Sequence, residues 1–572
     1  MRFAPLGLVC ALALVNAACG GSGTTASETP PTQAPAPAPG PAATPASAPA
    51  PNTAPYQNEA GCLTYNLTAS TPLTGVDPLS PSQWHLQNTG QSGGVIGEDM
   101  RAIAAWITTK GSGSRVAVVD DAIEVTHPDL SPNVVAAGSF SYRSGVNKGT
   151  AFPLPCSTTD DHGTAVAGII AARDGNAIGV AGIAPRASLV GFNALSTNLD
   201  TDIADALLRD GTKISVYNNS WGSPDDGRLH PAESAFKSAI ASGIENGRDG
   251  KGSVYVFPAG NGGCFTGQVR LDGSCTGDSD NANFDGYTNF LGVNTICAVS
   301  DKGVKPWYGE VGTNVLVCGV SSDRTANVST TDITVPSGST GYRSNFSGTS
   351  ASTPMVSGIV ALMLAVRPEL TWRDVRLILA ETARKSDPSS PLWTNNFSYN
   401  YHPSYAFGVA NAQAAVARAA NWVSVGNSST LQSCGPFNRT VNLSIGDATG
   451  TSSANAVPGP TFEDSQAISA ANCGITKIEF IEVKFAATHT ASGDLRVRLV
   501  SPNGLTSELA NARVCQGSCG TYGDANGANP WGFGSVRHLG EAAAGNWRLQ
   551  VNDMIPVDVG VVRNWSIRFW GR

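Results

Sequence analysis

Short, unbroken apolar runs alternate with stretches of helical period through the middle of the chain. Residues 115–119, Arg-Val-Ala-Val-Val, show no polar alternation, as a strand buried on both faces reads. Residues 189–192, 214–217 and 253–257 read the same way. Residues 165–173 are small and helix-compatible, 352–365 are apolar all round and predict a buried helix, and 372–383 predict an amphipathic one. Strands alternating with helices predict an α/β domain over residues 62–424, a parallel sheet with helices on both faces. Beyond it the helical period disappears. Residues 478–485, 494–500, 547–551 and 565–570 alternate between Gly, Asn and Pro turns, which predicts an all-β sandwich over residues 425–572.

The first residues pattern differently. Met1-Arg2 gives a positive start, residues 6–15 an apolar core too short for a bilayer, and Ala17-Ala18 small residues before Cys19. This predicts a signal peptide over 1–19 and export to the periplasm, the cell surface or the medium. Cys19-Gly20-Gly21-Ser22 resembles a bacterial lipoprotein start, although Asn16 stands where that pattern carries Leu. Two outcomes follow: a membrane anchor through a lipid on Cys19, or ordinary cleavage nearby. Residues 20–61 are Ala, Pro, Thr and Ser with few large apolar side chains, and predict a disordered tether. No later apolar segment reads as reaching transmembrane length, so the rest of the chain is expected to be soluble.

Composition narrows the function. A length of 572 residues suits two or three domains, and a net charge of −8 argues against nucleic acid while favouring basic peptides or calcium. Besides Cys10 and Cys19, ten cysteines remain, at 62, 156, 264, 275, 297, 318, 434, 473, 515 and 519. An even number in an exported chain predicts up to five disulfides, with Cys264–Cys275 and Cys515–Cys519 as local pairs and the rest open. There is no C-x-x-C pair, zinc signature or nucleotide loop.

Three segments carry candidate chemistry. Asp120-Asp121 follows the 115–119 strand, His162 precedes the small-residue helix in Asp161-His162-Gly163-Thr164, and Ser350 opens a buried helix in Gly348-Thr349-Ser350, with Pro354 expected in its first turn. Each has a bland reading alone: a turn residue, a structural His, an N-cap. Together they supply what a weak hydroxyl nucleophile needs, a base and a carboxylate to orient the base. The words D-D-x5-H-P-D-L, H-G-T-x-x-A-G and G-T-S-x-S-x-P, in the order Asp, His, Ser, resemble the subtilisin-like serine peptidases closely over about 350 residues. The resemblance implies Asp120 as orienter, His162 as general base, Ser350 as nucleophile, and Asn261, in Phe257-Pro258-Ala259-Gly260-Asn261, as an oxyanion-hole donor.

Further words resemble the kexin and furin branch of that family. They are Ser220-Trp221-Gly222-Ser223-Pro224-Asp225-Asp226-Gly227, Asp285-Gly286-Tyr287-Thr288-Asn289, Pro306-Trp307-Tyr308-Gly309-Glu310 and, near the C-terminus, Gly545-Asn546-Trp547 and Asn564-Trp565. That likeness makes the second domain a P domain of jelly-roll type. It implies a preference for Arg or Lys before the cut, with Asp225 and Asp285 in the primary pocket. Asp121 would face the preceding substrate residue, Asp205 would add charge further out, and Ser220 and Gly222 would line the substrate's path. The loop 226–231 lacks an acidic residue common in the branch, so multi-basic recognition should be weaker. The same likeness implies calcium at two places. One uses Asp77, Asp129, Asn176 and the carbonyls of Ile178 and Val180; the other uses Asp225, Asp280 and Glu310. Only the tether separates the signal from Asp77, so folding is expected either unaided or with a separate chaperone. Protein or peptide substrates and a monomer complete the expectation.

Overall fold

The structure is a computed structural model that describes residues 54–572 apart from 66, 68–73, 265–279, 325 and 452. The signal segment and Cys275, with its expected bond to Cys264, lie outside the described residues. Six parallel strands form the central sheet: β1 Arg115–Val119, β2 Ser188–Phe192, β3 Val216–Asn219, β4 Val254–Pro258, β5 Val293–Val299 and β6 Val315–Val320. Their order is β2-β1-β3-β4-β5-β6. Strands β5 and β6 were not among the predicted runs, although both are wholly buried.

Short α1 (Ala102–Ala105) precedes the sheet, and α2 (His162–Ala171) links β1 to β2. α3 (Asp200–Leu208) links β2 to β3, and α4 (Ser234–Gly250) links β3 to β4. The chain moves left from β1 to β2, then crosses back over β1 to β3. α3 packs against α4. The hairpin β7 (Val328–Thr331) and β8 (Tyr342–Phe346) leads into α5 (Thr349–Val366). α6 (Trp372–Thr382), the small hairpin β9 (Thr394–Asn396) and β10 (Tyr399–Tyr401), and α7 (Ala412–Ala420) complete the domain.

α5 corrects two expectations. It is long and apolar enough to cross a membrane by length and composition, but 83% of it is buried inside the fold, so its apolar surface faces protein. It also begins three residues earlier than the apolar pattern suggested, which makes Pro354 its sixth residue rather than part of its first turn.

Two antiparallel sheets make the C-terminal sandwich. Its strands are β11 Gln432–Ile445, β12 Phe462–Ile468, β13 Ile478–His489, β14 Leu495–Val500, β15 Thr506–Ala510, β16 Trp531–Ser535, β17 Gly545–Asp553 and β18 Gly560–Gly571, ordered β11-β18-β13-β16 and β12-β17-β14-β15. The two cores interlock: Phe480, Val536 and Leu539 join the peptidase-side core, and Phe284 joins the sandwich core. Disulfides Cys62–Cys156, Cys297–Cys318, Cys434–Cys473 and Cys515–Cys519 are formed. Residues 54–61, placed in the tether by composition, lie against the first domain, where Tyr56 packs edge-on to Tyr65 and Phe152.

Candidate active site

The site lies where the strand order reverses, at the carboxyl edge of β1 and β3, the natural crevice of an open α/β sheet. Val119 is in register with Phe192 on one side and Asn219 on the other. Asp120 and Ser220 therefore step off the sheet side by side. Asp120 is buried, and its Oδ1 accepts from His162 Nδ1 at 2.9 Å and from the Asp121 N–H at 2.9 Å.

Asp121 has a job that its motif did not reveal. Its carboxylate accepts from the Gly163 N–H at 2.9 Å and the His162 N–H at 3.2 Å, capping α2 from outside the helix. Burial raises the Asp121 pKa, and the neighbouring Asp120 charge raises it further. Burial alone would hold the His162 ring neutral. The charge and hydrogen bond of Asp120, with Asp121 and Asp161 behind, outweigh it and lift the ring above its ordinary value of 6.5.

Ser350 is the second residue of α5, so its N–H has no intrahelical acceptor. Gly348 enters the helix at φ +79°, a conformation that needs glycine. Pro354 has no N–H to offer the Ser350 carbonyl four residues back. The Ser220 hydroxyl takes that place at 3.2 Å, and the Ser350 hydroxyl donates in return to the Ser220 carbonyl at 3.2 Å. Asn261 Oδ1 accepts from the Thr349 N–H at 2.8 Å and the Thr349 hydroxyl at 3.0 Å. With the oxygen committed, its Nδ2 is the end left to donate.

A cavity of about 240 Å³ opens beside Ser350 and Asn261. Asp285 stands in its wall, accepting from the Ser223 N–H at 3.0 Å, the Ser223 hydroxyl at 2.9 Å and the Tyr287 N–H at 2.8 Å. Its pKa is raised, by burial first. A Cβ on Gly222 would stand 2.6 Å from Asp285 Oδ2, so the close approach depends on glycine. Asp225, at the rim, accepts from the Asn261 N–H at 3.1 Å. Two partners of Asp226 near the cavity were missed in the sequence. Arg228 and His230 both bind Asp226, at 2.7 and 2.8 Å, and although burial works against it they hold that carboxyl down at about 2.

Asp205 has a structural partner that its motif did not reveal. Its carboxylate accepts from the Tyr142 hydroxyl at 2.5 Å and pairs with Arg209, which is only 4% exposed and stacks on Phe140. A buried guanidinium needs a counter-charge, and Asp205 supplies it while its own side chain stays 31% exposed.

Two places meet the charge requirement of a hard dication. Asp280 and Glu310 are buried beside Asp225. Burial raises the pKa values of both; the Asp225 charge raises Asp280 further, and the Asp280 and Asp225 charges raise Glu310 further. Elsewhere Asp77 accepts from the Gly175 and Asn176 N–H groups at 2.8 and 3.0 Å. Asp129 accepts from the Asn176 amide at 2.7 Å and the Val180 N–H at 3.0 Å, and burial pushes it up to about 7. Asn176 Oδ1 accepts from the Ile178 N–H at 3.2 Å. Uncompensated buried carboxylates among amide and carbonyl oxygens suit calcium by donor chemistry. As they lie, no three acidic, His or Cys side chains among the described residues form a ready-made cage.

The chain matches the Subtilase family over residues 111–408, more than half its length, and the proprotein convertase P-domain over residues 478–569. The chain belongs to the subtilase family. It is 34% identical over 504 residues to the dibasic-processing endoprotease of Schizosaccharomyces pombe, covering 86% of this chain and 65% of that one. It is 31% identical over 518 residues to human proprotein convertase subtilisin/kexin type 7, covering 86% and 60%. The chain thus spans less than two thirds of these curated relatives. The solved serine protease of Aeromonas sobria superposes with a TM-score of 0.73 at 26% identity, covering 91% of this chain and 100% of that one. The same protease solved in complex with a chaperone gives 0.73 at 25% identity, covering 90% and 100%. The sandwich is therefore a P domain, and the chain is homologous to kexin- and furin-like proteases.

Proposed function

We propose that this chain is an exported serine endopeptidase that cleaves proteins or peptides through an acyl-enzyme, after Arg or Lys. The observation that carries the reading is the Asp120–His162 hydrogen bond at the carboxyl edge of the sheet, together with Ser350 and Asn261 lining a cavity walled by carboxylates. Ser350 Oγ leaves the Ser220 carbonyl and attacks the scissile carbonyl carbon as its proton passes to His162 Nε2. Asp120 holds Nδ1–H and stabilises the imidazolium. The oxyanion receives the Ser350 N–H and Asn261 Nδ2, the latter worth about 3 kcal/mol. His162 then protonates the leaving amine, and water, activated by the same ring, releases the acyl group. The freed Ser220 carbonyl and the Gly222 segment pair with the substrate backbone. Asp285 and Asp225 receive the substrate cation by charge-assisted hydrogen bonds.

Calcium would be held by Asp77, Asp129, Asn176 and the Ile178 and Val180 carbonyls, and by Asp225, Asp280 and Glu310. When bound it supplies positive charge that offsets these buried carboxylates. The working domain limits are 62–424 and 425–572. The export reading rests on residues 1–19, and the mass of the mature N-terminus distinguishes a lipidated Cys19 from ordinary cleavage. Folding with a separate chaperone, by analogy with the Aeromonas complex, is read from whether expression of this chain alone yields active enzyme.

Cleavage-site profiling of purified protein, with Ser350→Ala as control, tests the whole. The variant should lose about a million-fold in activity while keeping its fold. Wild-type protein should favour Arg or Lys over Leu before the cut by about a hundred-fold, because Leu leaves buried charge unpaired. Equal cleavage after Leu or Phe leaves only a broad-specificity subtilase, and activity surviving in Ser350→Ala removes the catalytic assignment.

A further inference from the structure

Both walls of the specificity cavity are held from behind by the P domain. One wall is the segment 220–230, which carries Asp225; the other is the segment 280–289, which carries Asp285. Arg513, between β15 and β16, is 4% exposed. Its Nε donates to the Gly227 carbonyl, its Nη1 donates to the Tyr522 hydroxyl at 2.9 Å, and its guanidinium stacks 3.8 Å over the Phe284 ring. Nearby, in the small loop closed by Cys515–Cys519, the Gln516 N–H donates to the Asp226 carbonyl at 2.9 Å. On the second wall, the Gly534 N–H donates to Asn283 Oδ1 at 2.8 Å and the Trp531 indole to the Asn283 carbonyl at 3.0 Å.

Arg513 touches both walls. Gly227 is fixed at its two ends, because its N–H also donates to Asp280 Oδ2 at 2.8 Å. Any shift of this residue carries Asp225, two residues away. Phe284 lines the cavity and immediately precedes Asp285. A planar guanidinium can stack on a ring and hydrogen-bond in its own plane at once, which an ammonium cannot. We propose that Arg513 is a specificity-determining positioning residue, bridging Gly227 to Phe284 so that Asp225 and Asp285 converge on one substrate cation. This rests on the basic preference proposed above. A misplacement of about 1 Å at such a site costs about a hundred-fold, which gives a buried clamp outside the peptidase domain its leverage.

The test uses the full chain with Arg513→Leu and Arg513→Lys. Active sites are titrated with a serine-directed phosphonate, and kcat and KM are measured on matched peptides carrying Arg or Leu before the cut. Arg513→Leu should lower the Arg-over-Leu ratio about ten-fold through KM for the Arg peptide, while the titre and kcat on the Leu peptide change little. Arg513→Lys keeps the charge without the fork and should fall between; it also carries the test if the Leu variant fails to fold. A wild-type ratio in the folded variants overturns the proposal, even where the melting temperature drops, because that is bracing alone. A wild-type enzyme without basic preference overturns the cavity reading first and this inference with it, so the two failures are told apart in the wild-type measurement.

Discussion

His162 is pulled two ways, and the pH profile reads the balance. Burial favours the neutral ring, whereas Asp120, Asp121 and Asp161 favour the imidazolium. Only the neutral ring can take the Ser350 proton, so the active fraction grows as pH rises through the His162 pKa. The ascending limb of kcat/KM should lie on the alkaline side of 6.5, the ring's ordinary value. Asp121→Asn removes one of the charges that raise that pKa, so the limb should move to lower pH. The same change weakens the cap on α2 by about 1 kcal/mol, which stability measurements separate from the pH effect. A limb that stays in place in Asp121→Asn would show that Asp121 serves the helix alone. Asp285 is the second test at this scale. Asp285→Asn should erode the preference for Arg more than it slows cleavage of a neutral ester, because its carboxylate faces the cavity rather than Ser350. Equal losses on both substrates would assign Asp285 to the fold instead.

Elements differ in how much of themselves the sequence displays. Strands β1 to β4 and helix α6 were legible because buried β-branched runs and an amphipathic period are local signals. Asp120, His162 and Ser350 were legible because each sits in a short word at an element end. β5 and β6 are as apolar as the others, but glycine and asparagine around them blurred their edges. The apolar run placed the start of α5 at 352 because Thr349 and Ser350 are polar, whereas the word around Ser350 put it at the helix start, where the open first turn frees its N–H. The pairing of Asp205 was not legible, because Arg209 shows as a buried cation only after folding. Arg513 gave no signal, since Gly227 lies 286 residues away. The loop around Asp129 supports a prediction of its own. Asp77 and Asp129 are buried with raised pKa values, so a bound dication should stabilise the loop 175–180 that wraps them. Calcium at a hundred times its Kd should add about 2.7 kcal/mol, and exhaustive chelation should lower the melting temperature accordingly. Asp129→Asn should remove much of that response. A melting temperature indifferent to chelator would sink the calcium reading.

At the scale of the molecule, the question is whether peptidase and P domain unfold as one. Arg373 on α6 is fully buried, and its Nε and Nη2 donate to the two oxygens of Glu479 at 2.8 and 2.6 Å. Glu479 heads β13 and also accepts from Arg572, near the chain's C-terminal end, at 2.7 Å. Arg373 Nη1 reaches on to the Asn427 carbonyl at 3.0 Å and the Thr430 hydroxyl at 2.9 Å, in the segment that joins the domains. Around this pair the two cores interlock through Phe480, Val536 and Leu539 on one side and Phe284 on the other. Peeling the P domain away would expose apolar surface on both partners and leave two buried charges apart. The wild-type protein should therefore melt in a single transition, followed alike by far-ultraviolet dichroism and by protection of the P-domain amides. Glu479→Gln removes the carboxylate and strands the Arg373 guanidinium in the interior, at a cost of about 3–5 kcal/mol. If the domains are one cooperative unit, that loss should lower the whole transition and lower phosphonate labelling of Ser350 in parallel with it on heating. Two separated transitions in the variant, with Ser350 still reactive after the P domain has melted, would show instead that the peptidase domain stands without its partner.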